Sequence, residues 1–148
     1  YLLGDEGSGA YLGKLLMQKM LNGELPQALI QQFEHECGKT VKQFRNEIYR
    51  APKMNVALAE LSKYIAHYVR NEHFQAIVEQ SFEYFFQKTI LKFHPSMRQP
   101  LFFIGSIGHV FQPFLEKVAK KHHLKIDEVI AKPADRLVHF HLHYERRR

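Results

Sequence analysis

Apolar residues recur at intervals of three and four along most of this chain, the spacing that places them on one face of an α-helix. Leu12, Leu15, Leu16 and Met20 form the first such stripe; Ser8 is placed to cap its start, and Asn22-Gly23 to stop it. Pro26 opens a second, short helix whose apolar face is Leu29, Ile30 and Phe33, and Gly38 punctuates it before a helical stretch over 41–49. Ala51-Pro52-Lys53 reads as a break. Asn55 is then a candidate cap for a helix with the stripe Leu58, Leu61, Ile65 and Tyr68. The clearest periodicity lies over 72–93, where Phe74, Ile77, Val78, Ser81, Phe82, Phe85 and Leu91 predict one long buried helix. Its aromatic stripe is assigned to packing, since helices in proteins are held mainly by burying one face.

Beyond that helix the pattern changes. Residues 94–100 read as a connecting loop, and Leu101-Phe102-Phe103-Ile104 is bulky and apolar throughout, which suits a strand covered on both faces. Gly105-Ser106 opens a helix carrying Val110, Phe111, Phe114, Leu115 and Val118, and Pro113 either kinks it or marks its true start. Apolar and polar residues alternate imperfectly over 124–130, predicting a second strand, and Pro133 is placed to begin a final helix. At the other end, Tyr1-Leu2-Leu3 breaks into glycines that flank Asp5 and Glu6. A strand ends there and a helix begins, so the two carboxylates occupy a strand-to-helix turn, where α/β proteins bind ligands. With no fixed-period repeat and no Gly/Ser-rich linker, residues 1–148 read as a single domain, a mainly helical α/β unit with few strands.

Composition narrows the partners. A chain of 148 residues, 45% hydrophobic and 24% charged, is long enough to bury one core. The net charge of +6 raises nucleic acid as a partner. Apart from Lys120-Lys121 and Arg146-Arg147-Arg148, however, the basic residues are scattered among glutamates as on a solvated surface, and no nucleic-acid partner is expected. The longest apolar run, 101–111, is too short to cross a bilayer, and no secretory signal opens the chain, so no membrane partner is expected either. One unpaired cysteine, Cys37, fits a reducing cytoplasm.

Two phosphate-binding motifs fail on spacing. A P-loop has four residues between its first glycine and Gly-Lys, whereas Gly7 and Gly13-Lys14 are separated by five and followed by Leu15. A dinucleotide fingerprint has two residues between its second and third glycines, and Gly9 and Gly13 are separated by three. A turn with solvated carboxylates is the plain structural reading. His139-Phe140-His141-Leu142-His143 would converge on a metal if it were a strand. Pro133 and the spacing of Leu137, Phe140 and Tyr144 predict a helix instead, on which the imidazoles fan out, and no metal site is assigned. His122-His123 reads as a surface pair.

Three segments carry a family resemblance. Leu3-Gly4-Asp5-Glu6-Gly7-Ser8-Gly9-Ala10-Tyr11 resembles the segment after the second phosphate loop of N-acetylglucosamine kinases and of the related dehydratase-activator (BadF-type) ATPases, in the sugar kinase, Hsp70 and actin superfamily. Leu101-Phe102-Phe103-Ile104-Gly105-Ser106-Ile107 resembles the family's adenosine-binding segment, and Ala131-Lys132-Pro133-Ala134-Asp135-Arg136-Leu137 its closing segment. Order and separation match over nearly the whole chain, but only to the family's C-terminal half.

The resemblance implies the mainly helical C-terminal lobe of a ribonuclease H-like (actin/hexokinase-type) ATPase domain, with ATP and Mg2+ as cofactors and an amino sugar as acceptor. It implies that Gly4, Asp5 and Glu6 bind the sugar, with Asp5 accepting hydrogen bonds from its hydroxyls. It implies likewise that Gly105 and Ser106 contact the nucleotide and that Ala59 lines the adenine pocket. Some relatives carry a second glycine where this chain has Ser106, and others a further hydroxyl at the position of Val110, so the family pattern is not fully kept here. Cys37 alone argues against the activator branch, whose iron-sulfur cluster needs paired cysteines. The family's first phosphate loop, catalytic aspartate and second phosphate loop precede the opening motif, so no catalytic residue is assigned. A missing N-terminal lobe is the expected partner, homodimerisation stays open, and the lobe alone is expected to be inactive. The rivals are a sugar-independent ATPase and a helical interaction module without nucleotide chemistry.

Overall fold

The computed structural model describes residues 5–96 and 100–145. In chain order the elements are α1 (Gly9–Leu21), α2 (Gln27–Cys37), α3 (Val41–Arg50), α4 (Met54–His67), α5 (Glu72–Lys88), a 3₁₀ segment (Ile90–Ser96), β1 (Leu101–Ile104), α6 (Ser106–Val110), α7 (Gln112–Lys121), β2 (Ile126–Ile130) and α8 (Pro133–Glu145). Local chemistry sets many of these boundaries. Ser8 Oγ accepts from the Tyr11 amide at 3.1 Å, Gly38 ends α2 in the left-handed conformation, Thr40 and Gln43 form a capping box on α3, and Asn71 caps α5.

The core is built around α1. Leu12 and Leu16 are fully buried, and Leu15, Met17 and Met20 nearly so; burial of each such side chain contributes about 2 kcal/mol. The helix packs chiefly on α4, and also on α5 and α3. Gly13 makes the contact with α4 unusually close, because a Cβ built there would lie 1.9 Å from the Leu58 carbonyl oxygen. Only a residue without a side chain lets these two backbones meet.

α5 contributes Phe74, Ile77, Val78, Phe82 and Phe86. α7 packs beside it through Leu115, Val118 and Ala119, with Lys117 to Glu79 at 2.6 Å and Lys121 to Glu83 at 3.1 Å along the seam. Phe86 is fully buried and stacked between Phe103 and His122, at centroid distances of 6.0 Å and 5.8 Å. His122 is therefore not the surface residue expected of a His-His pair. Its ring lies on Phe86 and its Nε2 is 2.8 Å from Glu83 Oε1.

β1 and β2 pair in parallel, with Phe103 opposite Val129 and Ile104 opposite Ile130. The apolar run of β1 is covered on one face only: Phe103 packs against the core, while Phe102 and Ile104 are 56% and 64% exposed. Four bulky residues in a row do not encode how many faces a sheet will have covered. Other expectations shift at their ends. α5 stops at Lys88, and the 3₁₀ segment that follows leaves Phe93 75% exposed. Lys53, not Asn55, precedes the first residue of α4. Pro113 lies in the first turn of α7, so it marks a new helix. α8 is helical as expected. The strand expected before Asp5, and Gly4 itself, lie outside the described residues.

Candidate functional site

The opening turn is held from both sides. The Ser8 amide donates to the Asp5 carbonyl at 3.0 Å, closing the turn into α1. Gly7 has φ +79°, and a Cβ there would lie 3.1 Å from Phe85 Cβ. The turn is thus pressed onto α5 in a conformation that favours glycine, and Asp5 and Glu6 project from backbone fixed by packing.

The two carboxylates serve different cavities. Asp5 lines a cavity of about 240 Å³ between α1, α3 and α4, together with Tyr11, Lys14, Arg45, Tyr49 and Asn55. Its apolar wall includes Met17, Ile48, Met54 and Leu58. Glu6 lines a second cavity of about 350 Å³, which it shares with the rest of the turn, with Phe82, Phe85 and Phe103, and with Gly105, Ser106 and Ile107. Tyr11 stands near both carboxylates. Burial first, then the neighbouring Tyr84 and Glu6, push its hydroxyl above the usual tyrosine value, so at neutral pH it stays a phenol that both donates and accepts. The Lys14 ammonium lies over the Tyr11 ring, 6.0 Å from its centroid. Arg45 Nε and Nη2 are turned to Asn46 Oδ1 at 3.3 and 3.0 Å. Among the described residues neither Lys14 nor Arg45 lies within ion-pair distance of a carboxylate.

At the second cavity Gly105 adopts φ +135° and ψ 159°, its amide donating to the Ile130 carbonyl at 2.9 Å. A Cβ at Gly105 would meet open space, so the backbone there is bare on its outer side. Gly105, not Ser106, occupies the N-cap position, and no side chain caps α6. Ser106 is exposed, and its hydroxyl is not used to cap the helix. Ala59, in α4, lines neither cavity and lies beside Gly9, which lines the second: a Cβ on Gly9 would lie 3.5 Å from Ala59 Cβ and 3.3 Å from Ile107 Cδ1.

Of the residues singled out from sequence, Asp5, Glu6, Gly105 and Ser106 therefore line cavities that meet at one turn, Ala59 lies behind Gly9 and lines neither, and Gly4 lies outside the described residues. Sequence reasoning missed Lys14, Arg45, Tyr49 and Asn55. Lys14 follows Tyr11 at helical spacing and was open to notice, but α3 is brought to α1 by tertiary packing alone, and Asn55 had been assigned to capping. Among the described residues there is no group of three or more His, Cys, Asp or Glu side chains that could hold a metal ion, and no helix is long and apolar enough to cross a membrane.

No protein-family model matches the chain, and no curated protein does so. A crystal structure does match: that of a protein from Porphyromonas gingivalis described as a putative N-acetylglucosamine kinase, with a TM-score of 0.88 and 35% identity. The match covers 95% of this chain and 50% of that one, so the chain spans about half the length of its solved relative. The mainly helical architecture with few strands agrees with the fold that the opening, adenosine-type and closing segments imply. In both sequence and fold, the chain is similar to half of an N-acetylglucosamine kinase-like protein, as a resemblance confined to that family's C-terminal half requires.

Proposed function

We propose that this chain is the C-terminal lobe of a cytoplasmic, ATP-dependent amino-sugar kinase, residues 1–148 forming one domain of a longer two-lobe enzyme. The observation that carries the reading is the opening turn, which offers Asp5 to one cavity and Glu6 to another shared with Gly105 and Ser106. Acceptor and nucleotide would then lie on either side of a single rigid turn. Placement of this kind supplies much of the catalysis in phosphoryl transfer, where the protein does little covalent chemistry.

In this reading Asp5, acceptor-only when ionised, takes hydrogen bonds from sugar hydroxyls, and Asn55 adds an amide able to donate and accept. Gly105 lets the adenosine moiety approach bare backbone, the aromatic rings of the second cavity provide apolar surface for the base, and the Ser106 hydroxyl is available to ribose or phosphate. Glu6 is the one carboxylate lining that cavity. Mg2+ characteristically takes one or two carboxylates, substrate phosphates and water. Among the described residues this chain thus offers one acidic ligand there, and bound Mg2+ would supply charge neutralisation of the transferring phosphoryl group. The general base and the phosphate loops belong to the N-terminal lobe, and closure of the lobes would exclude water.

The test is phosphoryl transfer from Mg-ATP by the full-length enzyme, with N-acetylglucosamine, glucosamine, glucose and no sugar as acceptors. Sugar phosphate formed with preference for the N-acetyl sugar is the expected result. ATP hydrolysis indifferent to sugar would replace the reading with a sugar-independent ATPase, and no turnover with any acceptor would move it to an interaction module.

A further inference from the structure

We propose that Phe85 is a positioning residue for the transfer: its ring sets the spacing between the opening turn and the Gly105 segment, and so governs the rate of transfer rather than the binding of either substrate. The inference rests on the amino-sugar kinase reading and identifies what holds its two half-sites in register.

The opening turn leads into α1, whereas Gly105 and Ser106 follow β1, far along the chain. Among the described residues no hydrogen bond joins the turn at 5–8 to the segment 101–108. Their relative placement therefore rests on packing, and Phe85 supplies it. On one side the bare backbone of Gly7 sits against the base of the ring: a Cβ there would lie 3.1 Å from both Cβ and Cγ of Phe85 and 3.3 Å from Cδ2. On the other side the ring meets Phe103 edge to face, with centroids 6.1 Å apart and planes at 63°.

Both ends of this bridge are anchored. Phe103 is paired opposite Val129 in the sheet, two residues before Gly105, and stacks on the fully buried Phe86. Phe85 also meets Phe86 edge to face, at 6.2 Å and 83°. Two neighbouring rings thus fix the plane of Phe85 as well as its distance, since aromatic pairs favour particular angles. The other close approach between the segments, Gly9 to Ile107, ends on Ile107 Cδ1, the free end of a flexible side chain. The Phe85 contact is made by Cβ and Cγ, which cannot move without α5. In phosphoryl transfer such spacing matters, because a misplacement of about 1 Å can cost a hundredfold in rate. Leucine at position 85 would keep apolar volume but lose the plane that meets Phe103, and the turn would shift relative to Gly105.

The test compares Phe85→Leu, Phe103→Leu and the double variant of the full-length enzyme, with Mg-ATP and N-acetylglucosamine, below the melting temperature of each. Phe74→Leu is the control: Phe74 is a more deeply buried ring of α5 that packs on Tyr64 and Tyr68 and lines neither cavity. Phe85→Leu should lower kcat by about tenfold to a hundredfold, with KM for ATP and for sugar each within about twofold of wild type. Phe103→Leu should do the same, and the double variant should be no more than about twofold slower than the slower single one, because a bridge cut once is already cut. Phe74→Leu should keep the wild-type kcat. A raised KM for ATP at unchanged kcat makes Phe85 a wall for the nucleotide and overturns the inference. Losses that multiply in the double variant overturn the bridge, and an equal loss in Phe74→Leu reduces it to a general weakening of α5. Wild-type kinetics in Phe85→Leu also overturn it and leave the kinase reading intact, whereas no transfer to any amino sugar by the wild-type enzyme overturns both.

Discussion

The helical body and the strand end of this chain handle apolar surface in opposite ways. In the body, α1 meets α4 backbone to backbone at Gly13, and the residues facing it are buried almost completely. At the strand end, β1 turns Phe102 and Ile104 outward, and α8 leaves Leu137, Val138, Phe140 and Leu142 each more than half exposed. α8 is held to β2 by the fork of Arg136 on Glu128, with Arg136 Nη1 2.8 Å from Glu128 Oε2. The body buries most of its apolar stripes in its own contacts, with Tyr49 and Val56 the main exposed exceptions. The strand end has the surface of an element built to be covered, as the proposed second lobe would do, since apolar patches of this kind mark interaction faces. The candidate site lies where the two regions meet: the opening turn belongs to the body through Gly7 and Phe85, and Gly105 and Ser106 belong to the strand end.

Substitutions should separate the regions by size of effect. Phe86→Ala removes a fully buried ring stacked on both Phe103 and His122, the point where body and sheet are joined, and should cost about 4 kcal/mol in denaturant unfolding. Gly13→Ala comes next. In an exposed helix the change would gain about 1 kcal/mol; against the Leu58 carbonyl it should instead cost on the order of 3 kcal/mol, the upper range for overpacking. A stabilised Gly13→Ala protein would show that the two backbones do not meet as closely as described.

A smaller effect is expected at the seam between α5 and α7. Burial alone would raise the Glu83 carboxyl, but hydrogen bonds from Lys121, Gln87 and His122 outweigh it and hold the carboxyl below the usual glutamate range. A depressed carboxylate contributes stability that is present above about pH 4.5 and lost as pH falls through the folded value. Glu83→Gln should therefore lower the melting temperature at pH 7 and converge with wild type toward pH 3, the difference at neutral pH being under about 1 kcal/mol. Ile104→Thr, on the exposed face of β1, should change stability of the isolated chain by no more than about 0.5 kcal/mol. A large loss there would mean that this face is covered and would erase the contrast between the regions.

The helical body was legible because its signal is local. The stripes of α1 and α5, the stop at Asn22-Gly23 and the αL glycine at position 38 all follow from residues close in sequence. Closely spaced choices were harder. The stripe on α5 had Phe85 as its inward ring, whereas Phe86, four residues after Phe82, is the one fully buried and Phe85 supports the turn at Gly7. Gly13 gave no hint of its importance, since its reason is a carbonyl 45 residues further on. Asp5 and Glu6 stand out in one dimension as carboxylates between glycines where a helix begins, whereas Gly105 and Ser106 are singled out only by the family resemblance of their segment. Lys14, Arg45 and Asn55 are marked by neither, because the cavity that unites them exists only after α1, α3 and α4 have packed.

The most direct measurement is steady-state transfer to the amino sugar by the full-length enzyme carrying Asp5→Asn, alongside binding of ATP to the same protein. The amide keeps the shape of the side chain but removes the charged acceptor. The account predicts that kcat/KM for the sugar falls by about a hundredfold, on the scale of one or two charge-assisted hydrogen bonds, while ATP binds as in wild type. Unchanged sugar kinetics with intact ATP binding would contradict the assignment of Asp5 and with it the division of the opening turn between two cavities.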